Sequence, residues 1–152
     1  MKLSTKSRYG LRALFDIAFH TGMLPSQIKD ISRRQQISPR YLEQIFQELK
    51  KAGLLKSKRG PQGGYRLTRK PEEISVLDVI RATEGRLALV ECGTSDNQAC
   101  ALDSQCVTQK VWRGAAKALS DYLAGVTLAD LCAMGREIGM EQELDHRFMY
   151  FI

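Results

Sequence analysis

The sequence predicts a mainly α fold with one small β-hairpin, and three observations predict it. Apolar residues recur at helical spacing through most of the chain. Glycine and proline punctuate the periodic segments at short intervals. One glycine-rich stretch near residue 60 separates two short strand-like runs. At 152 residues the chain has room for one small module and an appended element. Its 43% hydrophobic and 26% charged residues exclude neither a packed core nor an ordinary surface. No apolar run approaches a bilayer's thickness, and the charge-studded N-terminus does not read as a secretory signal. The expectation is a cytoplasmic protein with no membrane partner.

Taken in order, Thr5 is placed to cap a first helix over 6–20, with Tyr9, Ala13, Leu14, Ile17 and Ala18 on one face. Gly22 and Pro25 break it, and Ser26 is placed to cap a short second helix over 27–36 that buries Ile28 and Ile31. A third helix starts at Ser38, a good N-cap, with Pro39 in the first position, where a missing N–H costs nothing. Leu42, Ile45, Phe46 and Leu49 form its core stripe, and Gly53 stops it. Residues 54–58 and 65–68 read as two strands around the tip Arg59-Gly60-Pro61-Gln62-Gly63-Gly64. Ser75 with Asp78 forms a capping box for a helix over 76–84, ended by Gly85. A long helix over 107–124 carries Val111, Trp112, Ala115, Leu119, Tyr122 and Leu123 on a broad apolar face, and Thr127 with Asp130 caps another. Residues 140–152 mix charges with aromatics and are assigned no function.

Two short helices, a tight turn and a third helix with a polar outer face make a helix-turn-helix, and a hairpin directly after it makes a wing. Charge points the same way. Residues 1–70 hold sixteen Lys/Arg against four Asp/Glu, a net +12, whereas residues 71–152 hold seven against thirteen, a net −6. A basic half fits a polyanionic partner, because phosphate contacts and counterion release supply most non-specific affinity for DNA. On the third helix Arg40, Glu43, Gln44 and Gln47 face outward, and these residue types can bond guanine, cytosine and adenine edges in the major groove. The glycines of the wing let its backbone approach a phosphate or a minor groove closely. They do not open a helix and lack the phosphate-loop spacing, so a nucleotide loop is disfavoured. The candidate DNA-contacting set is Ser38, Arg40, Tyr41, Glu43 and Gln44 with Lys56, Lys58, Arg59 and Gly60. An enzyme is not expected, since neither His20 nor His146 sits in a recognisable catalytic arrangement.

Cys92, Cys100 and Cys106 fall within fifteen positions, in a polar stretch of turn-forming residues. Clustered thiols in such a segment of a cytosolic protein favour metal or cluster ligation over disulfides. Their spacing, Cys-x7-Cys-x5-Cys, has no close pair of the kind structural zinc sites use. An iron–sulfur cluster, zinc and redox-active thiols all remain open. Cys132 lies in an apolar helical pattern with Leu128 and Leu131 and is expected in the core. The long helix must bury its stripe somewhere, either within the monomer or against the matching helix of a second subunit, and the latter would also present two reading heads to a palindromic site.

Five features in order resemble the IscR-type family of bacterial regulators, cluster-sensing winged-helix proteins. They are Leu3-Ser4-Thr5-Lys6-Ser7-Arg8-Tyr9, Ser38-Pro39-Arg40-Tyr41-Leu42-Glu43-Gln44, Arg59-Gly60-Pro61-Gln62-Gly63-Gly64-Tyr65, the three cysteines, and Trp112. The resemblance runs from Met1 to about Leu131. It implies a homodimer whose long helices cross and whose winged domains bind a dyad-symmetric promoter site on double-stranded DNA. It also implies an iron–sulfur cluster, [2Fe–2S] or [4Fe–4S], held by Cys92, Cys100 and Cys106, whose state alters DNA binding. Arg40, Tyr41, Glu43 and Gln44 would be the reader and Arg59 with Gly60 the wing tip. The expected organisation is then a DNA-binding domain over 1–71, a connecting helix over 72–86, a cluster loop over 87–107, dimerisation helices over 108–140 and a tail over 141–152.

Two departures leave the fourth ligand open. Gln109 stands where IscR members place a histidine, and the first cysteine interval is seven residues rather than five. Arg8 lies near where some relatives offer an acidic ligand from the first helix. Glu91, Asp96, Asp103, His20 or an external thiol are the alternatives. A winged-helix regulator with a zinc or thiol-redox site, or one controlled by a protein partner, is the competing reading.

Overall fold

A computed structural model describes residues 2–90, 102 and 105–151. Helices α1 (Thr5–His20), α2 (Ile28–Gln35) and α3 (Pro39–Lys51) are followed by strands β1 (Leu55–Lys58) and β2 (Gly64–Leu67). Helices α4 (Val76–Glu84), α5 (Val107–Gly125) and α6 (Leu128–Glu137) complete the fold, with single 3-10 segments at Pro71–Glu73 and His146–Phe151. The expected fold class, mainly α with a small hairpin, is the observed one.

The core gathers around α1. Ala13, Leu14 and Ile17 are sealed from solvent by Ile31 of α2, by Leu42, Ile45, Phe46 and Leu49 of α3, and by Leu67, Val79 and Leu128. Truncating any of the larger of these to Ala would cost about 2–5 kcal/mol, because a packed core only partly collapses into the cavity. Cys132 is part of this core, and burial pushes its thiol pKa up.

The caps decide where the helices begin. Ser38 Oγ accepts the Tyr41 N–H at 3.2 Å and Pro39 opens α3, as the sequence indicates. Ser75 and Asp78 close a reciprocal box at the start of α4, at 2.9 and 3.1 Å. Thr127 and Asp130 do the same for α6, at 2.8 and 3.2 Å. Two expectations about caps fail. Ser4, not Thr5, caps α1, accepting the Ser7 N–H at 3.2 Å. Ser26 caps nothing; Gln27 is the N-cap residue of α2 and makes no side-chain cap hydrogen bond. Ser26 is buried and bridges β2, exchanging two 2.8 Å backbone hydrogen bonds with Tyr65.

That bridge ties the α1–α2 turn to the hairpin, whose strands pair antiparallel from Leu55↔Leu67 to Lys58↔Gly64. Gly64 makes the tie possible. Its φ of +142° disfavours any L side chain, and a Cβ there would collide with the Ser26 carbonyl. A second seam joins the ends of the later helices. The Val76 N–H bonds Val126 O at 2.8 Å and the Leu128 N–H bonds Ile74 O at 2.9 Å, so the end of α5 lies beside the start of α4. Between those ends α5 is an outlier: Gln109 is its one buried residue, while Val107, Val111, Trp112 and Tyr122 are exposed. No helix among the described residues is long and apolar enough to cross a membrane.

Candidate nucleic-acid interface

The third helix separates its two faces as its periodicity requires. Leu42, Ile45, Phe46 and Leu49 point into the core, and Arg40, Glu43, Gln44 and Gln47 are exposed. Phe46 also meets the Tyr65 ring at 4.8 Å, edge to face, which packs α3 against β2. Ser38 is exposed at the head of the helix. Tyr41 differs from its neighbours: it is half-buried, and its ring meets Tyr9 of α1 edge to face at 5.8 Å. It therefore steadies the first turn of α3 as well as bordering the outer face.

On the hairpin Lys56, Lys58, Arg59 and Gly60 are all exposed. Lys50, near the end of α3, donates to Ser57 Oγ at 3.1 Å and so links the helix to the first strand. Gly60 takes a φ of +104° at the turn, and the Gly63 N–H bonds its carbonyl at 2.9 Å. Exposed polar groups on a firmly packed helix, followed by a short basic hairpin, can meet base edges and phosphates together.

Beneath the helix-turn-helix lies a buried ionic cluster that the sequence reading did not anticipate. Asp16 is fully buried and accepts from Arg34 Nε at 3.0 and 3.1 Å, from Arg34 Nη2 at 2.6 Å and from Gln35 Nε2 at 2.9 Å. His20 sits beside it, with Nε2 3.9 Å from Asp16 Oδ2. Burial lowers the His20 pKa below its ordinary 6.5, outweighing the pull of Asp16. Its Nδ1 accepts the Glu143 N–H at 2.9 Å, so that nitrogen carries no proton in this arrangement.

Glu143 belongs to the C-terminal segment, which the sequence left without a role. Its carboxylate bonds Arg33 and lies 3.6 Å from Arg34 Nη1; the Arg33 hydrogen bond is the main reason its pKa is lowered. Farther on, Arg147 holds Asp145 through two nitrogens, which lowers the Asp145 pKa, and reaches backbone carbonyls of the wing. The signal available in advance was only a short run of alternating charge, which does not specify a partner.

Of the three candidate ligand cysteines, Cys92 and Cys100 lie outside the described residues. Cys106 is half-buried at the N-cap position of α5, with Sγ 3.3 Å from Thr108 Oγ1. Gln109 is buried one turn later. Among the described residues no group of three or more metal-ligating side chains converges.

A helix-turn-helix extended by a basic two-stranded hairpin defines the class: a winged-helix DNA-binding protein. The profile of the Rrf2 family, described as iron-dependent transcriptional regulators, matches residues 3–134. The chain belongs to the Rrf2 family of transcriptional regulators, which are not enzymes. It is 48% identical over 131 residues to the rrf2 protein of Nitratidesulfovibrio vulgaris, covering 86% of this chain and 87% of that one. Among solved structures it is similar to IscR of T. potens, at 40% identity and a TM-score of 0.71 over 99% of this chain and 96% of that one. It is also similar to CymR, the global cysteine regulator of B. subtilis, at 35% identity and a TM-score of 0.73 over 88% and 98%. The resemblance to IscR-type regulators is thereby shown.

Proposed function

We propose that this protein is a homodimeric, sequence-specific regulator whose promoter binding is modulated by an iron–sulfur cluster held by Cys92, Cys100 and Cys106. The observation that carries the reading is the position of Cys106. It stands at the head of α5, immediately before an exposed apolar stripe that includes Val107, Val111, Trp112 and Tyr122. A stripe of this size on a surface helix calls for a covering partner, and a second copy of the helix supplies one of matching shape and chemistry. One residue thus belongs both to the ligand set and to the helix that sets the geometry between two reading heads.

The donor set fits such a group. Three thiols suit iron–sulfur ligation, and the N-terminal end of a helix accommodates an anionic ligand sulfur. When bound, the cluster supplies iron chemistry sensitive to oxidation, nitric oxide and iron supply. The protein's own part is mechanical and electrostatic. α5 holds the two winged domains at a fixed separation, so that each α3 enters a major groove of a dyad-symmetric site in the cytoplasm. Ser38, Arg40, Tyr41 and Gln44 position and read, while Lys56, Lys58, Arg59 and Gly60 meet the backbone or the minor groove. Glu43 rejects sequences that offer its carboxylate no donor.

The test is anaerobic purification with measurement of iron, sulfide and visible absorption, followed by promoter binding of the holo and apo forms. Stoichiometric iron and sulfide with different affinities for the two forms is the expected result. Colourless, zinc-bearing protein overturns the cluster reading, and equal binding by the two forms removes the sensing role. The likeness to CymR favours one second reading, thiol chemistry at the same cysteines. Iron-free protein whose DNA affinity changes on mild oxidation would select it. The dimer is tested separately: V111E should yield monomers by light scattering.

A further inference from the structure

We propose that Arg147 is a positioning residue for DNA binding, holding the wing in the orientation in which it meets the duplex. The inference rests on the reading of the hairpin as a DNA-contacting wing, and its observation is independent of the cysteines.

After α6 the chain returns across the DNA-binding domain and is held at two places. At the first, the Gln142 side chain donates to His20 O at 3.0 Å, the Glu143 N–H donates to His20 Nδ1 at 2.9 Å, and the Glu143 carboxylate bonds Arg33. At the second, Arg147 acts as a hub. Its Nη1 donates to Gly63 O at 2.6 Å and to Pro61 O at 3.3 Å, both in the hairpin tip. Its Nη2 donates to Pro25 O at 3.2 Å, in the α1–α2 turn, and to Asp145 Oδ2 at 2.8 Å. Nε completes the fork on Asp145 at 3.0 and 3.2 Å, and the guanidinium lies 5.2 Å from the centre of the Phe148 ring, whose side chain is buried.

A planar guanidinium with five donors in fixed directions can do this, and a lysine cannot. The carbonyls matter because of where they are. Arg59 to Gly63 form the turn beyond the last strand pair, and a two-stranded hairpin alone is marginally rigid in water. The Ser26–Tyr65 bridge holds the second strand of the wing, one residue short of the last strand pair. Arg147 extends that hold toward the tip, next to Arg59 and Gly60. The side chain is 19% exposed and paired with Asp145, so its contribution to DNA binding runs through the wing and not through its own charge.

The experiment uses the full-length chain and a duplex selected by it from a random-sequence DNA pool, with affinity read by fluorescence anisotropy. R147A and R147K should both weaken binding by about tenfold, since a wing that samples other orientations lowers the binding-competent fraction. R147K keeps the charge, so wild-type affinity in that variant overturns the proposal. D145N removes a negative charge beside the wing: positioning requires weaker binding, and tighter binding overturns it. In the DNA-free protein, hydrogen exchange at residues 60, 62, 63 and 64 should speed up in R147K while α3 amides do not change. Unchanged exchange at the tip also overturns the proposal. R59A separates the two levels. If R59A weakens binding and the Arg147 variants do not, the positioning role alone fails; if R59A is silent, the wing reading fails and takes this proposal with it.

Discussion

Asp16 has no solvent exposure at all, and the guanidinium of Arg34 grips it with Nη2 only 2.6 Å from Oδ1. One residue is on α1 and the other on α2, so the pair fixes the two helices that support α3. An ion pair of this kind is weak evidence of net stabilisation, but stripping one partner leaves a buried charge uncompensated. R34A is therefore expected to destabilise the protein by about 3–5 kcal/mol in urea unfolding. A loss below about 1 kcal/mol, the scale of exposed pairs, would show that water reaches Asp16 in the folded state.

Acid should act first through His20. Burial lowers its pKa from 6.5, with Asp16 opposing. Below that value the unfolded chain takes up a proton that the folded one resists, so the unfolded state binds more protons and gains. Stability is full above about pH 6.5, falls as the pH drops, and levels off below the folded pKa. Glu84, Glu143 and Asp145 have lowered pKa values and lose their contributions only in the more acidic carboxylate range. H20N keeps an acceptor for the Glu143 N–H but cannot titrate. Its unfolding free energy should be flat between about pH 7.5 and 5.5, where the wild type slopes.

Gly60 and Gly64 of the wing should not be equivalent. Gly60 has a positive φ but open space around its Cβ position, whereas at Gly64 a Cβ would strike the Ser26 carbonyl. G60A is expected to cost about 1–2 kcal/mol from backbone strain alone. G64A should cost more and should also expose the Ser26 and Tyr65 amides to hydrogen exchange. Equal costs in thermal unfolding would mean that the α1–α2 turn simply yields.

Base and phosphate contacts leave different signatures. R40A should lose roughly 1–3 kcal/mol of affinity and relax preference at one position of the selected site. K58A should weaken binding to all sequences alike and reduce the salt slope by about 1. A uniform loss in R40A, measured across a library of substituted sites, would place that arginine on the phosphate backbone instead.

Those features that depend on near neighbours were legible in the sequence. Ser38 with Pro39, Ser75 with Asp78, Thr127 with Asp130 and the stripe of α3 all act within one or two helical turns, so spacing suffices to find them. Ser26 misled because the same hydroxyl that suits an N-cap here lies in a segment recruited by Tyr65, thirty-nine residues away. Arg147 was invisible for a related reason. Its long-range partners are backbone carbonyls, which every residue possesses, and nothing in a side-chain pattern points to Pro25, Pro61 or Gly63. The outer face of α3 was legible as an exposed face, since an amphipathic pattern gives both sides at once.

The seam at Val76–Val126 and Ile74–Leu128 has a consequence for how such a protein can diverge. The chain leaves α4 at Glu84 and returns at Val126 beside the start of α4, so both ends of the intervening segment are tied to the same helix. Closure entropy grows only logarithmically with length, so a change in the number of residues between Glu84 and Val107 is expected to cost the seam little. A change in that length is therefore expected to leave the melting temperature of the helices joined at the seam nearly unchanged.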